Sequence, residues 1–164
     1  MKRVFVLSTL VLVSFAIAQN QERPKQLDWL DGLTGKWMLD EKVSKEKGTC
    51  KAAWVLNKRH VQMDFSGTVM DMPMEGLMIV SWDESRNKYV STWFDSMGGM
   101  AISGYGDVKG DTLTTTTEML EIMGQKGRIK MVLTKGKEGF TMNVGMGDGD
   151  KYETFLDNHF VRGK

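Results

Sequence analysis

The chain has 164 residues, of which 41% are hydrophobic, and it carries 22 basic and 21 acidic side chains and one cysteine, Cys50. This length fits one domain that buries about two-thirds of its unfolded surface. The near-neutral charge gives no electrostatic basis for binding nucleic acid or an anionic membrane surface, and a single cysteine excludes an intramolecular disulfide.

The N-terminal residues have the pattern of a secretory signal peptide. Two basic residues precede an uncharged apolar run that ends in "AIA" (16–18), a small-residue cleavage site. The run is short for a membrane span, and no later segment is long and apolar enough to be one. We therefore expect residues 1–18 to be removed, 19–26 to be a flexible leader, and 27–164 to fold as one secreted or periplasmic domain, monomeric or homodimeric.

A short helix is predicted at "LDWLDGL" (27–33), where four apolar residues span roughly a turn and Gly32 is a stop signal. Ten β-rich runs follow, separated by polar, glycine-rich turns. We predict strands at 35–43, 49–56, 60–69, 75–82, 88–95, 99–106, 111–119, 127–134, 139–146 and 151–161.

Ten short strands with short connections predict sequential antiparallel neighbours. Such a sheet closes into a barrel because closure removes its exposed edges. The predicted fold is therefore all-β, a ten-stranded antiparallel up-and-down barrel with a short N-terminal helix. A barrel of this size can fill its interior with side chains or hold one small ligand.

A Gly-x-Trp motif, Gly35 to Trp37, opens the first predicted strand, and Arg162 lies near the C-terminus. This arrangement resembles the lipocalin and fatty-acid-binding (calycin) barrels. The resemblance implies that Arg162 packs on the Trp37 indole at the closed end. There the guanidinium gains cation–π energy and hydrogen-bonds carbonyls of the leading turn. We expect these three residues to be structural.

A narrower resemblance covers most of the chain. The segments "LDGLTGKW" (30–37), "MEGLMIVSWDESRNKYVSTWFDSMGGM" (74–100) and "YGDVKGDTLT" (105–114) are similar to a bacterial secreted family, domain of unknown function 1579. Its members look like lipocalin-like or nitrobindin-like barrels. The resemblance implies no activity, so it bears on the fold and adds little about function.

A barrel interior of this kind favours binding or carriage of a small apolar or amphipathic molecule. Asp95, at a strand end, is a candidate polar anchor; the alternative is that Asp95 only caps a turn. The candidate wall residues are Trp54, Met63, Phe65, Met70, Trp93, Met131 and Met142.

Metal binding is a second hypothesis. In an extended chain Met70, Met72 and Met74 would place three thioethers on one face, and soft sulfur ligands suit Cu(I). Methionine is also an adaptable apolar filler, and Pro73 is typical of an edge, bulge or loop. The wide scatter of the other methionines favours core or pocket wall, so we predict no cofactor, with copper as an alternative.

Haem and catalysis are the remaining alternatives. Nitrobindin-type barrels bind haem through a late histidine, but the sequence around His159 does not match that motif, and its alternation leaves the direction of the side chain open. No nucleophile or metalloprotease motif is present. One further alternative is an enzyme with residues such as Asp95 and His60 at the barrel mouth. Another is a filled barrel that acts through its outer surface. Cys50 is expected to be a buried, inert thiol.

Overall fold

The computed structural model describes residues 22–40, 43, 47–69, 72–122, 124–149 and 151–163. The predicted signal peptide and Met70 lie outside these residues. The elements are a 3₁₀ helix (Lys25–Leu33) and the strands β1 Gly35–Leu39, β2 Gly48–Val55, β3 His60–Val69, β4 Met72–Asp83, β5 Lys88–Asp95, β6 Ile102–Lys109, β7 Thr112–Thr117, β8 Leu120–Ile122, β9 Gln125–Lys135, β10 Gly139–Asp148 and β11 Lys151–Arg162.

Ten of these strands form a closed antiparallel barrel. Strands β1 to β7 pair in sequence, β7 pairs with β9, and β9 pairs with β10. Strand β11 pairs with β10 and closes the ring against β1. The three-residue β8 pairs with β9 beside the ring. The predicted fold, an all-β ten-stranded barrel with a short N-terminal helix, is confirmed.

Local turn chemistry explains one strand boundary that differs from the prediction. Strand β6 begins at Ile102 and not at residue 99. The Asp95 carboxylate accepts hydrogen bonds from the amides of Met97 and Gly98, at 2.9 and 2.7 Å, and holds the chain in a turn. The separate strand β8 was not predicted, since its three residues are too few to show a period.

The helix closes one end of the barrel, called here the helix end; the opposite end is called the mouth. Leu27, Leu30 and Leu33 are fully buried, and burying each leucine contributes about 1.5–3 kcal/mol. The Tyr89 hydroxyl donates a hydrogen bond to the carbonyl of Gln26. The Trp29 indole donates to the carbonyl of Gly110 at 3.1 Å. These contacts fix the helix across the barrel.

Contacts with the helix and the barrel begin before Leu27, at Arg23. Arg23 pairs with Asp28 at 2.5 Å and with Asp31 at 2.8 Å, and its guanidinium lies 4.6 Å from the ring centroid of Trp54. The hydrogen bond from Arg23 is the main cause that lowers the pKa of Asp31. The last residues of the predicted leader are thus held against the barrel by an aspartate pair and an indole face.

Arg162 joins the last strand to the first, as the calycin resemblance implied. Its guanidinium carbon lies 4.0 Å from the ring centroid of Trp37, and Nη1 donates to the Thr34 carbonyl at 3.1 Å. The Trp37 indole donates to the Leu33 carbonyl at 2.8 Å. Gly35 has a φ of +140°, and a Cβ there would lie 2.0 Å from Arg162 Nη1. This close approach requires glycine.

A series of aromatic contacts runs from the helix end towards the mouth. Ring centroids are 5.2 Å apart for Trp37 and Phe140, and 4.7 Å apart for Phe140 and Phe160. Phe65 lies 5.7 Å from Phe160 and 5.3 Å from Trp93. These rings form a continuous series of contacts that ends at Trp93.

The Gly35 contact gives a stability test. Gly35→Ala should lower the free energy of unfolding by about 2–4 kcal/mol, because the added Cβ requires an unfavourable φ and displaces Arg162. Urea denaturation measures the change. Gly99→Ala is the matched control, since a Cβ at Gly99 meets nothing within 4 Å; it should change stability by less than about 0.5 kcal/mol.

The contribution of Arg162 to that cost is separable. In an Arg162→Ala background, Gly35→Ala should cost less than in the wild type, because the overlap is gone and the backbone conformation alone opposes the substitution. An equal cost in both backgrounds would contradict the steric contact.

The Cys50 thiol gives a test of reactivity. It is 1% exposed, and burial, with a smaller effect of Asp64, raises its pKa to about 12. At pH 8 an aromatic disulfide reagent should react with native protein at least about a thousandfold more slowly than with the unfolded chain, because the thiolate fraction falls by that factor. A native rate close to that of the unfolded chain would show that the thiol is accessible.

Candidate functional site

The half of the barrel nearer the mouth is only partly filled by side chains. It holds a cavity of about 320 Å³ that is lined by residues of strands β4 to β11. Apolar side chains dominate the wall, with Trp93, aliphatic residues of five strands and thioethers from five methionines. The methionines are Met74, Met78, Met97, Met131 and Met142. No lysine, arginine or histidine lines the cavity among the residues that the structure describes.

The floor of the cavity lies two residues along each strand from the packed core. Val80, Tyr89, Leu113, Leu133 and Phe140 are buried in the core at the helix end. The residues that we call the floor lie two positions nearer the mouth on the same strands. They therefore share the same inner face. These are Met78, Ser91, Thr115, Met131 and Met142.

Two hydroxyls form the polar part of the floor. Ser91 and Thr115 are 6% and 2% exposed, and their side-chain oxygens are 2.7 Å apart, a hydrogen bond that either residue can donate. They belong to β5 and β7, with β6 between them. They meet because β6 presents Gly104 and Gly106 to the interior, with no side chain in between.

Asp95 stands at the edge of the cavity with its carboxylate already engaged. Oδ2 accepts a hydrogen bond from the Trp93 indole at 2.7 Å, and Oδ1 accepts the two loop amides described above. The carboxylate therefore fixes the orientation of the Trp93 ring and the course of the loop. This is the turn-capping role that the sequence left as an alternative to a ligand anchor.

Four of the eight predicted ligand-binding residues come together in the cavity: Trp93, Asp95, Met131 and Met142. Met63 is fully buried in the packed core, and Phe65 lies behind the wall, between Trp93 and Phe160. Whether any of these residues contacts a ligand stays a prediction.

Trp54 lies at the helix end and not in the cavity. Its indole donates to Asp31 Oδ1 at 2.8 Å, beneath the guanidinium of Arg23. Strand β2 directs this side chain inward, but at the packed end. Met70 lies outside the described residues.

Of the three methionines considered as copper ligands, Met74 lines the cavity, whereas Met72, on the same face of β4, is 48% exposed at the mouth. Met78, further along the same face, also lines the cavity. Within the described ranges, no group of three or more histidine, cysteine or acidic side chains could hold a metal ion. Copper binding by thioethers is a separate question and stays an alternative.

The two histidines lie outside the cavity. His159 Nε2 is 3.2 Å from Asp157 Oδ1, on the outer face of β11. His60 begins β3 at the helix end, where burial and the neighbouring Arg59 lower its pKa. Asp95 is at the opposite end, so the pair suggested for an enzyme at the mouth is not brought together.

Sequence reasoning missed several wall residues, including Met78, Ser91, Thr115 and Val144. Alternation carries the signal for two of them, since Ser91 shares a face with Trp93 and Thr115 shares one with the buried Leu113. In "TLTTTT" (112–117) a single leucine marks the inner face. The sequence alone therefore does not show which threonine lies at the cavity.

A second, wider depression of about 710 Å³ lies over β1 to β5. Outward-facing residues line much of it, including Lys36, Lys51, Asp64 and Glu75. It is open to solvent and lined by charged side chains, so an apolar ligand there would keep much of its surface in contact with water. The cavity inside the barrel is therefore the better candidate site.

A comparison with protein families identifies the family of this chain. In the described part of the chain, no helix has the length and apolarity needed to cross a membrane. No curated protein matches the sequence. The family model described as "Protein of unknown function (DUF1579)" matches residues 23–162, which include the helix, the whole barrel and Arg162. The chain therefore belongs to the DUF1579 family, whose barrel is here consistent with a calycin-like fold.

Proposed function

We propose that the protein binds a small apolar or amphipathic molecule inside the barrel. The observation that carries the proposal is the cavity of about 320 Å³ with its predominantly apolar wall. This volume is at the lower end of the range of about 300–1,000 Å³ found for small-molecule sites. The occupant is therefore of modest size.

The hollow is unusual for so small a domain, which supports a role in binding. Protein interiors are close-packed, and voids larger than a water molecule are few. Here the interior is packed densely at the helix end, and the cavity lies towards the mouth. Transfer of an apolar molecule from water into this space would be favourable, because it removes apolar surface of both wall and ligand from water.

The composition of the wall suits an occupant of variable shape. Methionine is unbranched and polarizable, so it adapts to irregular surfaces and makes favourable contacts with aromatic rings. Five methionines and the Trp93 ring supply such a wall. We infer from this that the wall selects for apolar surface more than for one exact outline.

The mouth offers an apolar entry path. Five large apolar side chains that are exposed to solvent lie on the loops and strand ends that border the opening. They are Met72, Met97, Met100, Met119 and Phe155, between 47% and 63% exposed. A molecule that enters between them stays in contact with apolar surface along its route.

We also propose that the protein acts outside the cytoplasm. The support is the signal-peptide pattern of residues 1–18, which lie outside the described structure. Export would place the domain where extracellular or periplasmic apolar molecules must be carried through water. The single, buried cysteine suits an oxidising compartment, because Cys50 has no partner with which to form an intramolecular disulfide.

The proposal is tested with N-phenyl-1-naphthylamine, an uncharged fluorophore that becomes bright in apolar surroundings. We expect wild-type protein to bind it saturably. Val144→Trp should weaken binding at least about tenfold, because Val144 lines the cavity and the larger side chain fills it. Titration of fluorescence against protein concentration measures the affinity.

Val132→Trp is the matched control for this variant. Val132 lies on β9, one residue from the cavity-lining Met131, and alternation directs it to the outer face. This variant should bind the probe as the wild type does. Absence of binding to folded wild type, or equal effects of the two substitutions, would contradict binding in the cavity.

A further inference from the structure

The cavity contains polar side chains whose capacity to form hydrogen bonds is not fully used within the protein. Its polar side chains are Ser91, Asp95, Thr115 and Thr117. The Thr117 hydroxyl donates to the Glu118 carbonyl and accepts from the Ile129 amide, at 2.7 and 2.9 Å. As described above, Asp95 accepts three hydrogen bonds. Both groups therefore serve the protein itself.

Ser91 and Thr115 differ from these groups. Two hydroxyls carry two hydrogens, and their mutual hydrogen bond uses one. Among the described residues, neither hydroxyl makes a hydrogen bond other than this one. One donor and several lone pairs therefore point into a space walled by thioethers. A buried polar group without a partner is costly, at about 1–3 kcal/mol.

The charges around the cavity restrict the partner further. Among the described residues, the lining holds one carboxylate, Asp95, and no basic side chain. A ligand carboxylate or phosphate would lose its hydration, find no cation and meet a like charge. A hydroxyl or carbonyl group carries no such cost, and it can bond to the free hydrogen and lone pairs at the floor.

We propose that the Ser91–Thr115 pair binds the uncharged polar head of the ligand, a hydroxyl or a carbonyl, at the floor of the cavity. The ligand class is then a neutral amphiphile that enters with its polar group first. This inference rests on the proposed function and adds to it a ligand class, an orientation and two residues.

The test uses three rigid ligands of the same skeleton, which are naphthalene, 2-naphthol and 2-naphthoate at pH 7. Each displaces N-phenyl-1-naphthylamine from the protein. In the wild type, 2-naphthol should bind about three- to tenfold more tightly than naphthalene, the gain expected from a hydrogen bond. The anion 2-naphthoate should bind at least about tenfold more weakly than 2-naphthol.

The variant Ser91→Ala/Thr115→Val removes both hydroxyls and nearly keeps their shape. It should abolish the preference for 2-naphthol over naphthalene, while naphthalene binds at least as well as before. Circular dichroism establishes that the variant is folded. Should the double variant not fold, the single Thr115→Val substitution replaces it, with a reduced preference expected.

The control is a matched pair of hydroxyls on the outer face. Thr92 and Ser103, on β5 and β6, have side-chain oxygens 2.9 Å apart in solvent. Thr92→Val/Ser103→Ala should leave the ligand preference unchanged.

The possible failures are distinct. If the probe does not bind to wild type at all, the proposed function fails. If the probe binds but the preference for 2-naphthol survives loss of the floor hydroxyls, or 2-naphthoate binds as tightly as 2-naphthol, the proposed function stands and this inference is overturned.

Discussion

The structure depends on closing one end of the barrel. Arg162 stacks on Trp37 and bonds to the turn after the helix, so a single side chain holds the first strand, the last strand and the helix together. The helix then supplies three buried leucines to the interior. Because this end provides the densely packed core that a domain without disulfides needs, the other end can remain only partly filled. Stability and the proposed binding are thereby assigned to opposite ends of one barrel.

The elements that depend on local sequence could be predicted. Polar, glycine-rich turns separated the strands, and the runs at 60–69 and 88–95 match β3 and β5. The Gly35, Trp37 and Arg162 contact followed from a family pattern. Strand ends set by side-chain bonds could not be read, as at Asp95, because a carboxylate that holds its own loop looks the same in sequence as one that awaits a ligand.

The cavity was harder to predict than the fold because depth along the barrel is not a local property. Trp54 and Trp93 are both inward-facing tryptophans on strands, yet one lies under the helix and the other lines the cavity. The difference depends on the end of the barrel at which the helix docks. Contacts between residues more than twenty positions apart in the sequence determine that end. For the same reason Met63 is core, whereas Met78, its partner on β4, reaches the cavity floor.

The distribution of the five tryptophans has an optical consequence. Trp29, Trp37, Trp54 and Trp82 are gathered at the helix end, on or against the helix or the Tyr89 ring, whereas Trp93 alone among them borders the cavity. The fold thus separates four tryptophans from the one that borders the cavity. Under the proposed function, a ligand in the cavity would alter the surroundings of Trp93 alone among them, so a change in intrinsic fluorescence on ligand addition would report that the cavity is filled.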